Sequence, residues 1–380
     1  MEVIEARNVV VGAGVVGAAA AYHLARRGEA VLLVEQFGLG HTRGSSHGAT
    51  RIIRHSYADP NYARLMPRVY QLWHALEAQS ATPLLTRTGG ISVSPPGVPY
   101  AELVEAALVE LGVPAQRLSA EAWNQRHPRF AVPSGSTVVF EPDVGILAAG
   151  RCVHVLLHEA ERHGACIQPN TPIDRIELET SGVALLGKGL RIQADRAIVA
   201  AGSWIPILLP ALAQVLTPTR QRVVYLGTAD PGYGVGRLPV FIWIGAREEQ
   251  AYYGMPDLDG RGVKMGRHHG PATNPNQADE RVDEAYVDEL RGFLRGFLPE
   301  LAEAPLAATE TCLYTMAPGE EFLVGAWPGR SDLLVAAACS GHGFKFGILV
   351  GEVLADLATG QTPMAGTERW GATLAGFLQG

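Results

Sequence analysis

The sequence predicts an α/β protein in two parts, a Rossmann-like domain assembled from separate stretches of chain and a second domain built on a mixed sheet. Three observations carry that expectation. The turn Gly12-Ala13-Gly14-Val15-Val16-Gly17 follows an apolar run and opens an alanine-rich one, the strand, turn and helix of a βαβ unit. From 138 to 204 a helical stretch, a meander of short strands and an apolar strand ending in glycine succeed one another. Most aromatic, proline-bearing and irregular stretches lie elsewhere, at about 84–140 and 216–315.

Size and composition set the outer bounds. A chain of 380 residues that is 47% hydrophobic and 18% charged is compact and has core enough for about two to three domain-sized units. Acidic residues outnumber basic ones, 38 to 31, and the net charge of -7 offers no general attraction for nucleic acid or an anionic membrane surface. The four cysteines, Cys152, Cys166, Cys312 and Cys339, form no C-x-x-C pair and no zinc spacing with a nearby histidine, so neither a disulfide framework nor a metal site is expected. The acidic N-terminus lacks the regions of a signal peptide, the apolar stretch 9–25 is interrupted by three glycines, and Phe377-Leu378-Gln379-Gly380 is no organelle address. A cytoplasmic protein without a membrane partner is expected.

The elements follow in order. An apolar strand at 7–11 leads into the glycine turn, where Gly12 permits the tight bend, Gly14 lets backbone approach a pyrophosphate, and Gly17 lets helix and sheet pack closely. The helix runs to about 27 and a strand at 30–34 closes on Glu35, placed about 20 residues beyond the turn to accept from ribose hydroxyls. A helix at 148–163, short strands at 172–180, 182–186 and 190–193, and an apolar strand at 197–202 ending in Gly202 come next. FAD proteins of the glutathione-reductase type return their chain to the nucleotide domain in this way, whereas NAD dehydrogenases continue with alternating strands and helices. FAD is therefore the expected cofactor. The FAD-binding domain takes 1–82, 142–216 and 318–380, and the substrate domain takes 83–141 and 217–317. A last strand at 332–338 passes through Gly341 and Gly343 into a helix at 345–357.

Three short segments bear chemistry. In 262–269, extended geometry puts Lys264, Gly266 and His268 on one face, with Gly266 leaving room for a flat ligand; an exposed polar edge strand is the other reading. The chain has only three lysines, Lys188, Lys264 and Lys345, and a compact ammonium of adjustable pKa does what guanidinium does not, which favours a role for the two in candidate segments. In 47–54, Arg51 and Arg54 lie on a segment apolar enough to be buried and require anionic partners. If extended, they point to opposite faces, one to a cofactor and the other to a substrate carboxylate; structural ion pairs would satisfy the same pattern. In 311–315, Cys312 shares a face with Tyr314, although a free cysteine is most often inert core.

Together the segments 12–35, 47–54, Tyr253-Gly254-Met255-Pro256, 264–268, Cys312-Leu313-Tyr314-Thr315 and Ser340-Gly341-His342-Gly343-Phe344-Lys345-Phe346 resemble, in order and spacing, the monomeric sarcosine oxidase and N-methyl amino acid oxidase family. The S-G-H-G-F-K-F and C-x-Y-T matches are far more specific than the glycine turn. The resemblance implies FAD-dependent oxidation of sarcosine, or a similar small secondary amino acid, by O2, giving glycine, formaldehyde and hydrogen peroxide. It also implies that Cys312 holds FAD through an 8α thioether and that Lys264 lies near flavin N5 to promote O2 reduction. Arg54 and Lys345 would bind the substrate carboxylate, with His268, Tyr253 and Tyr314 lining the substrate pocket. His47 and Arg51 would pack on the flavin, and Thr50, Gly202, Gly341, Gly343 and Lys345 would complete its contacts. Lys264, His268, Arg51 and Tyr253 are thereby the expected catalytic groups of a monomer. Arg267 beside His268, Cys339, and the acidic run 256–260 depart from the family pattern. A bulkier N-substituted or cyclic amino acid, a dehydrogenase passing electrons to another protein, and a non-catalytic flavin-binding subunit are the rival expectations; the last needs neither a carboxylate clamp nor an oxygen site.

Overall fold

A computed structural model describes residues 2–277 and 281–379. The first strand, Glu2–Val11, begins with exposed and half-buried residues and ends with four buried ones. Its apolar end is flanked on both sides by parallel strands, Val31–Val34 and Leu190–Val199, the environment in which a continuous valine run is stable. The two strands expected at 190–193 and 197–202 are one ten-residue strand, Leu190–Val199. The polar residues that interrupt its apolar pattern stay in register: Arg196 lies opposite Asn8, and its Nη1 donates to Asn8 Oδ1 at 3.2 Å.

The other edge of Leu190–Val199 is divided. Its first half pairs antiparallel with Val183–Gly187 and its last residues pair parallel with Arg330–Ala337, so the meander and the last strand join one eight-stranded sheet. Helices Val15–Arg26 and Gly347–Ala358 bury themselves on this sheet in a common core. They meet backbone to backbone, since a Cβ on Gly351 would lie 2.5 Å from the Ala19 carbonyl carbon. The final helix begins later than the sequence suggests: residues Phe344–Phe346 form a 3-10 turn and the α-helix opens at Gly347.

A second eight-stranded sheet runs Leu306–Met316, Thr217–Leu226, Val263–Arg267, Ala251–Met255, Val240–Ile244, Gly90–Ser94, Thr137–Glu141, Gln116–Ser119. All neighbours are antiparallel except Val240–Ile244 with Gly90–Ser94, which makes the sheet mixed. One face, which carries Phe241, packs on helix Glu284–Arg295 and on Trp123, Phe130 and Phe297, each large side chain contributing about 1.5–3 kcal/mol by leaving water. A three-stranded sheet, Thr50–Ile53, Gly145–Ala148 and Leu85–Arg87, completes the structure. Among the described residues no helix is long and apolar enough to cross a membrane.

Candidate active site

The site begins where the first strand ends. Gly12 has φ +103°, and a Cβ there would lie 2.7 Å from the Ala200 oxygen; a Cβ on Gly17 would lie 1.9 Å from the Gly12 oxygen. Neither place admits a side chain. Helix Val15–Arg26 has no acid in its first turn and no side-chain cap from Gly14; Val15 N donates to Ser46 Oγ at 3.0 Å instead. Residues 12–16 line a cavity, so the positive end of the helix dipole faces whatever anion the cavity holds. Glu35 accepts from Ala13 N at 2.8 Å and from Phe37 N at 3.0 Å. Burial raises its pKa, but His41 and these two amides outweigh burial and leave it lowered. The ionised carboxylate therefore braces the glycine turn as well as facing the cavity.

The cavity has a volume of about 930 Å³, and every residue expected at the site except Gly17 lines it. Gly17 lies behind the wall, where it seats the helix. Strand alternation carries Lys264 to the wall while Val263 and Met265 enter the core beneath the sheet. Lys264 is 4% exposed, and its Nζ donates to Thr50 O at 3.2 Å. Burial, and next the Arg51 guanidinium, push its pKa down to about 7. Arg51 donates to Thr50 O and Ser45 O, each at 2.8 Å, and lies 5.7 Å over the Phe344 ring. Burial and Arg51 also push His47 down to about 4.

Gly266 serves a different purpose from the one expected. A Cβ there would lie 2.8 Å from Tyr253 Oη, so the space holds the tyrosine and not a flat ligand. His268 lies beyond the strand end, its N–H bonded to Ala251 O at 2.8 Å. Its ring rests on Gly341, where a Cβ would meet it at 2.2 Å. Arg267 points away, to Glu289 at 3.1 Å, and the acidic run closes a turn, with Gly260 N donating to Asp257 Oδ1 at 2.8 Å.

Arg51 and Arg54 meet different neighbours, Ser45 and Phe344 for the first and Tyr100 and Tyr57 for the second. Arg54 lies past the end of its strand, where alternation no longer applies, and both line the one cavity. Arg54 Nη1 donates to Tyr100 Oη at 3.2 Å, and its guanidinium lies 4.5 Å over the Tyr57 ring. Lys345 Nζ donates to Tyr57 Oη at 2.7 Å and His342 O at 3.0 Å; burial, then Arg54, drive its pKa well below the ordinary lysine value. Among the described residues neither cation has a carboxylate ion-paired to it. Lys345 is buried and Arg54 half-buried, and withdrawing cations from water without an anion is costly, so the pair suits an anion from outside the chain.

Two further buried atoms on the wall, His47 Nε2 and Thr50 Oγ1, have no hydrogen-bond partner among the described residues, the condition of a surface that expects a polar ligand. Cys312 borders the cavity from strand Leu306–Met316. Burial raises its thiol pKa, with Arg51 and Lys264 opposing.

Several wall residues escaped the sequence reading. Glu310 accepts from Tyr225 Oη and Arg261 Nη1 at 2.8 and 2.7 Å; alternation with Cys312 and Tyr314 was a signal that would have found it. Tyr57, Tyr100 and Glu320 had none, because only tertiary folding brings them to the wall. Glu320, with His268 and His269, also forms a cluster of metal-ligand type that no cysteine-based or closely spaced pattern announces.

The lowered pKa of Lys264 makes a prediction for cofactor-free protein. As pH rises through about 7 the group loses its proton and becomes nucleophilic. Acylation of Lys264 by a small amine-reactive reagent, followed by peptide mapping, should rise with a midpoint near that pH. A midpoint at the ordinary lysine value of about 10.4 would show that Lys264 is solvated.

The family described as "FAD dependent oxidoreductase" matches residues 7–357. The chain is 35% identical to the monomeric sarcosine oxidase of Bacillus sp. (strain B-0618), over 93% of this chain and 92% of that one. It is 33% identical to the N-methyl-L-tryptophan oxidase of Salmonella arizonae (strain ATCC BAA-731 / CDC346-86 / RSK2980), over 93% and 95% respectively. Its fold is similar to that of NikD, an unusual amino acid oxidase essential for nikkomycin biosynthesis, with a TM-score of 0.85, 24% identity and 97% of each chain covered.

Proposed function

We propose, for a chain that belongs to the family of FAD-dependent oxidoreductases, the oxidative demethylation of sarcosine or a similarly small N-methyl amino acid. Substrate, O2 and water give the parent amino acid, formaldehyde and hydrogen peroxide. The observation that carries this reading is the pair Arg54 and Lys345, the lysine buried and the arginine half-buried, neither ion-paired to a carboxylate among the described residues, in one cavity with Lys264 and Cys312. The residues fit FAD: a glycine turn at a helix N-terminus suits its pyrophosphate, and Thr50 Oγ1 and His47 Nε2 are unpaired on the wall. Cys312 Sγ would hold FAD through a thioether to its 8α-methyl group, and FAD bound there would supply a two-electron acceptor that O2 can reoxidise.

The chain's own residues do the rest. Arg54 and Lys345 hold the substrate carboxylate, the guanidinium in bidentate geometry, with Tyr57 and Tyr100 bracing both cations. Tyr253, Tyr314 and His268 enclose the amine, which must be neutral for its lone pair to assist loss of hydride, so the substrate-oxidising step speeds up towards alkaline pH. Lys264 presents positive charge to O2 as negative charge develops there, and Arg51 keeps a second cation beside it. The likeness to a monomeric sarcosine oxidase supports a monomer, and we assign a cytoplasmic one.

The test compares wild type with Cys312→Ala by intact mass after acid denaturation, then runs a peroxide-coupled panel of amines. An FAD mass increment retained by wild type and lost in the variant, with sarcosine turned over faster than N-methyl-L-tryptophan, is the expected result. Flavin released from denatured wild type would refute the thioether. Preference for the bulkier amine would refute the small substrate, and turnover without peroxide would make the enzyme a dehydrogenase.

A further inference from the structure

We propose that His268, His269 and Glu320 form a binding site for a first-row divalent metal ion of the zinc type on the wall of the active-site cavity, and that the ion competes there with the amino acid substrate. His268 Nε2 lies 3.3 Å and His269 Nε2 3.6 Å from the same carboxylate oxygen, Glu320 Oε1, and all three donor atoms lie within 4.8 Å of one another. Tetrahedral zinc with bonds of about 2.0–2.2 Å separates neighbouring ligand atoms by roughly 3.3–3.5 Å, so two of the three edges are close to the required length already. Two imidazoles and one carboxylate are also a donor set that zinc takes.

The donors are held in place independently of any metal. The His268 ring is wedged against Gly341 and lies 5.7 Å from the Tyr314 ring. The His269 ring stands edge-on to it, at 4.7 Å and 79°. Glu320 follows Gly319 in a left-handed turn, with φ +58° and +64° respectively, and its carbonyl oxygen lies 3.0 Å from His342 Nε2. Arg267, the nearest competing cation in sequence, is drawn off to Glu289.

Three protein ligands leave a coordination position open. His268 and Glu320 are on the cavity wall and His269 is not, so the ion would sit at the edge of the cavity and engage the histidine that encloses the substrate. The competition rests on the function proposed above; the binding does not.

The test is calorimetric titration of Zn2+ into FAD-loaded wild type, His269→Ala and Glu320→Gln. One Zn2+ per chain is expected, with affinity weakened about tenfold or more in each variant. In wild type, Zn2+ should raise KM for sarcosine and leave kcat unchanged, whereas His269→Ala should keep its basal turnover and lose the zinc effect. No saturable site, or a site of equal affinity in all three proteins, as at the exposed pair His154 and His158 or at Cys166, would overturn the site. Zinc bound as expected but lowering kcat without touching KM would overturn the competition. If sarcosine is not a substrate, the titration still decides the metal site and the failure belongs to the functional assignment.

Discussion

Lys264→Met should slow O2 consumption with sarcosine about 10²–10³-fold, the cost of removing one preorganised charge from a developing anion, while anaerobic bleaching of the flavin by sarcosine changes far less. Lys264 is nearly inaccessible to solvent and donates a hydrogen bond to a backbone oxygen, Thr50 O. A methionine of similar length removes the charge and leaves no cavity, and relieving the buried ammonium should not lower the melting temperature. Stopped-flow measurement of the two half-reactions separates the effects. An equal loss in both would mean that Lys264 positions the cofactor, and an unchanged O2 reaction would remove its role altogether. Because the ammonium loses its proton as pH rises through about 7 in the cofactor-free chain, Lys264→Met should also lose whatever part of the pH dependence of the O2 reaction belongs to this group.

Arg54→Met should lower kcat/KM for sarcosine by about 2–5 kcal/mol, or roughly 30-fold to several thousand-fold. The free enzyme should tolerate the change. Arg54 is not ion-paired to a carboxylate among the described residues, so its removal strands no buried anion, and the fold loses one hydrogen bond to Tyr100 and a stacking contact with Tyr57. Lys345→Met should act in the same direction. The double variant should lose less than the sum, because both cations meet one carboxylate and share Tyr57. Acetate, a probe with the carboxylate alone, should lose affinity in parallel with sarcosine. If acetate and sarcosine bind Arg54→Met as they bind wild type, the carboxylate lies elsewhere.

Much of the framework was legible because it is local. Gly17 is required by its contact with the Gly12 oxygen inside a single strand-turn-helix unit, whereas Gly12 itself is crowded by Ala200 from a distant part of the chain; alternation alone sends Lys264 to one face and Val263 and Met265 to the other. Alternation misled where a gap between side chains was filled by a neighbour, as Tyr253 fills the one at Gly266. The strand Leu190–Val199 was divided in two for a related reason. Its polar residues read as a break, yet Arg196 finds Asn8 on the adjacent strand.

By itself the sequence determined the α/β class, the nucleotide turn with its acidic partner Glu35, and the residue types available for chemistry, all of which depend on periodicity and spacing along a short stretch of chain. Only the tertiary structure decided that Arg54 and Lys345, from opposite ends of the chain, share one cavity with no carboxylate among the described residues ion-paired to either, that Lys264 titrates near neutrality, and that Glu320 closes on His268 and His269. The reason is physical. Desolvation and Coulomb interaction depend on what surrounds a group in space, and those surroundings exist only after the two large sheets and the small one have closed around a common cavity.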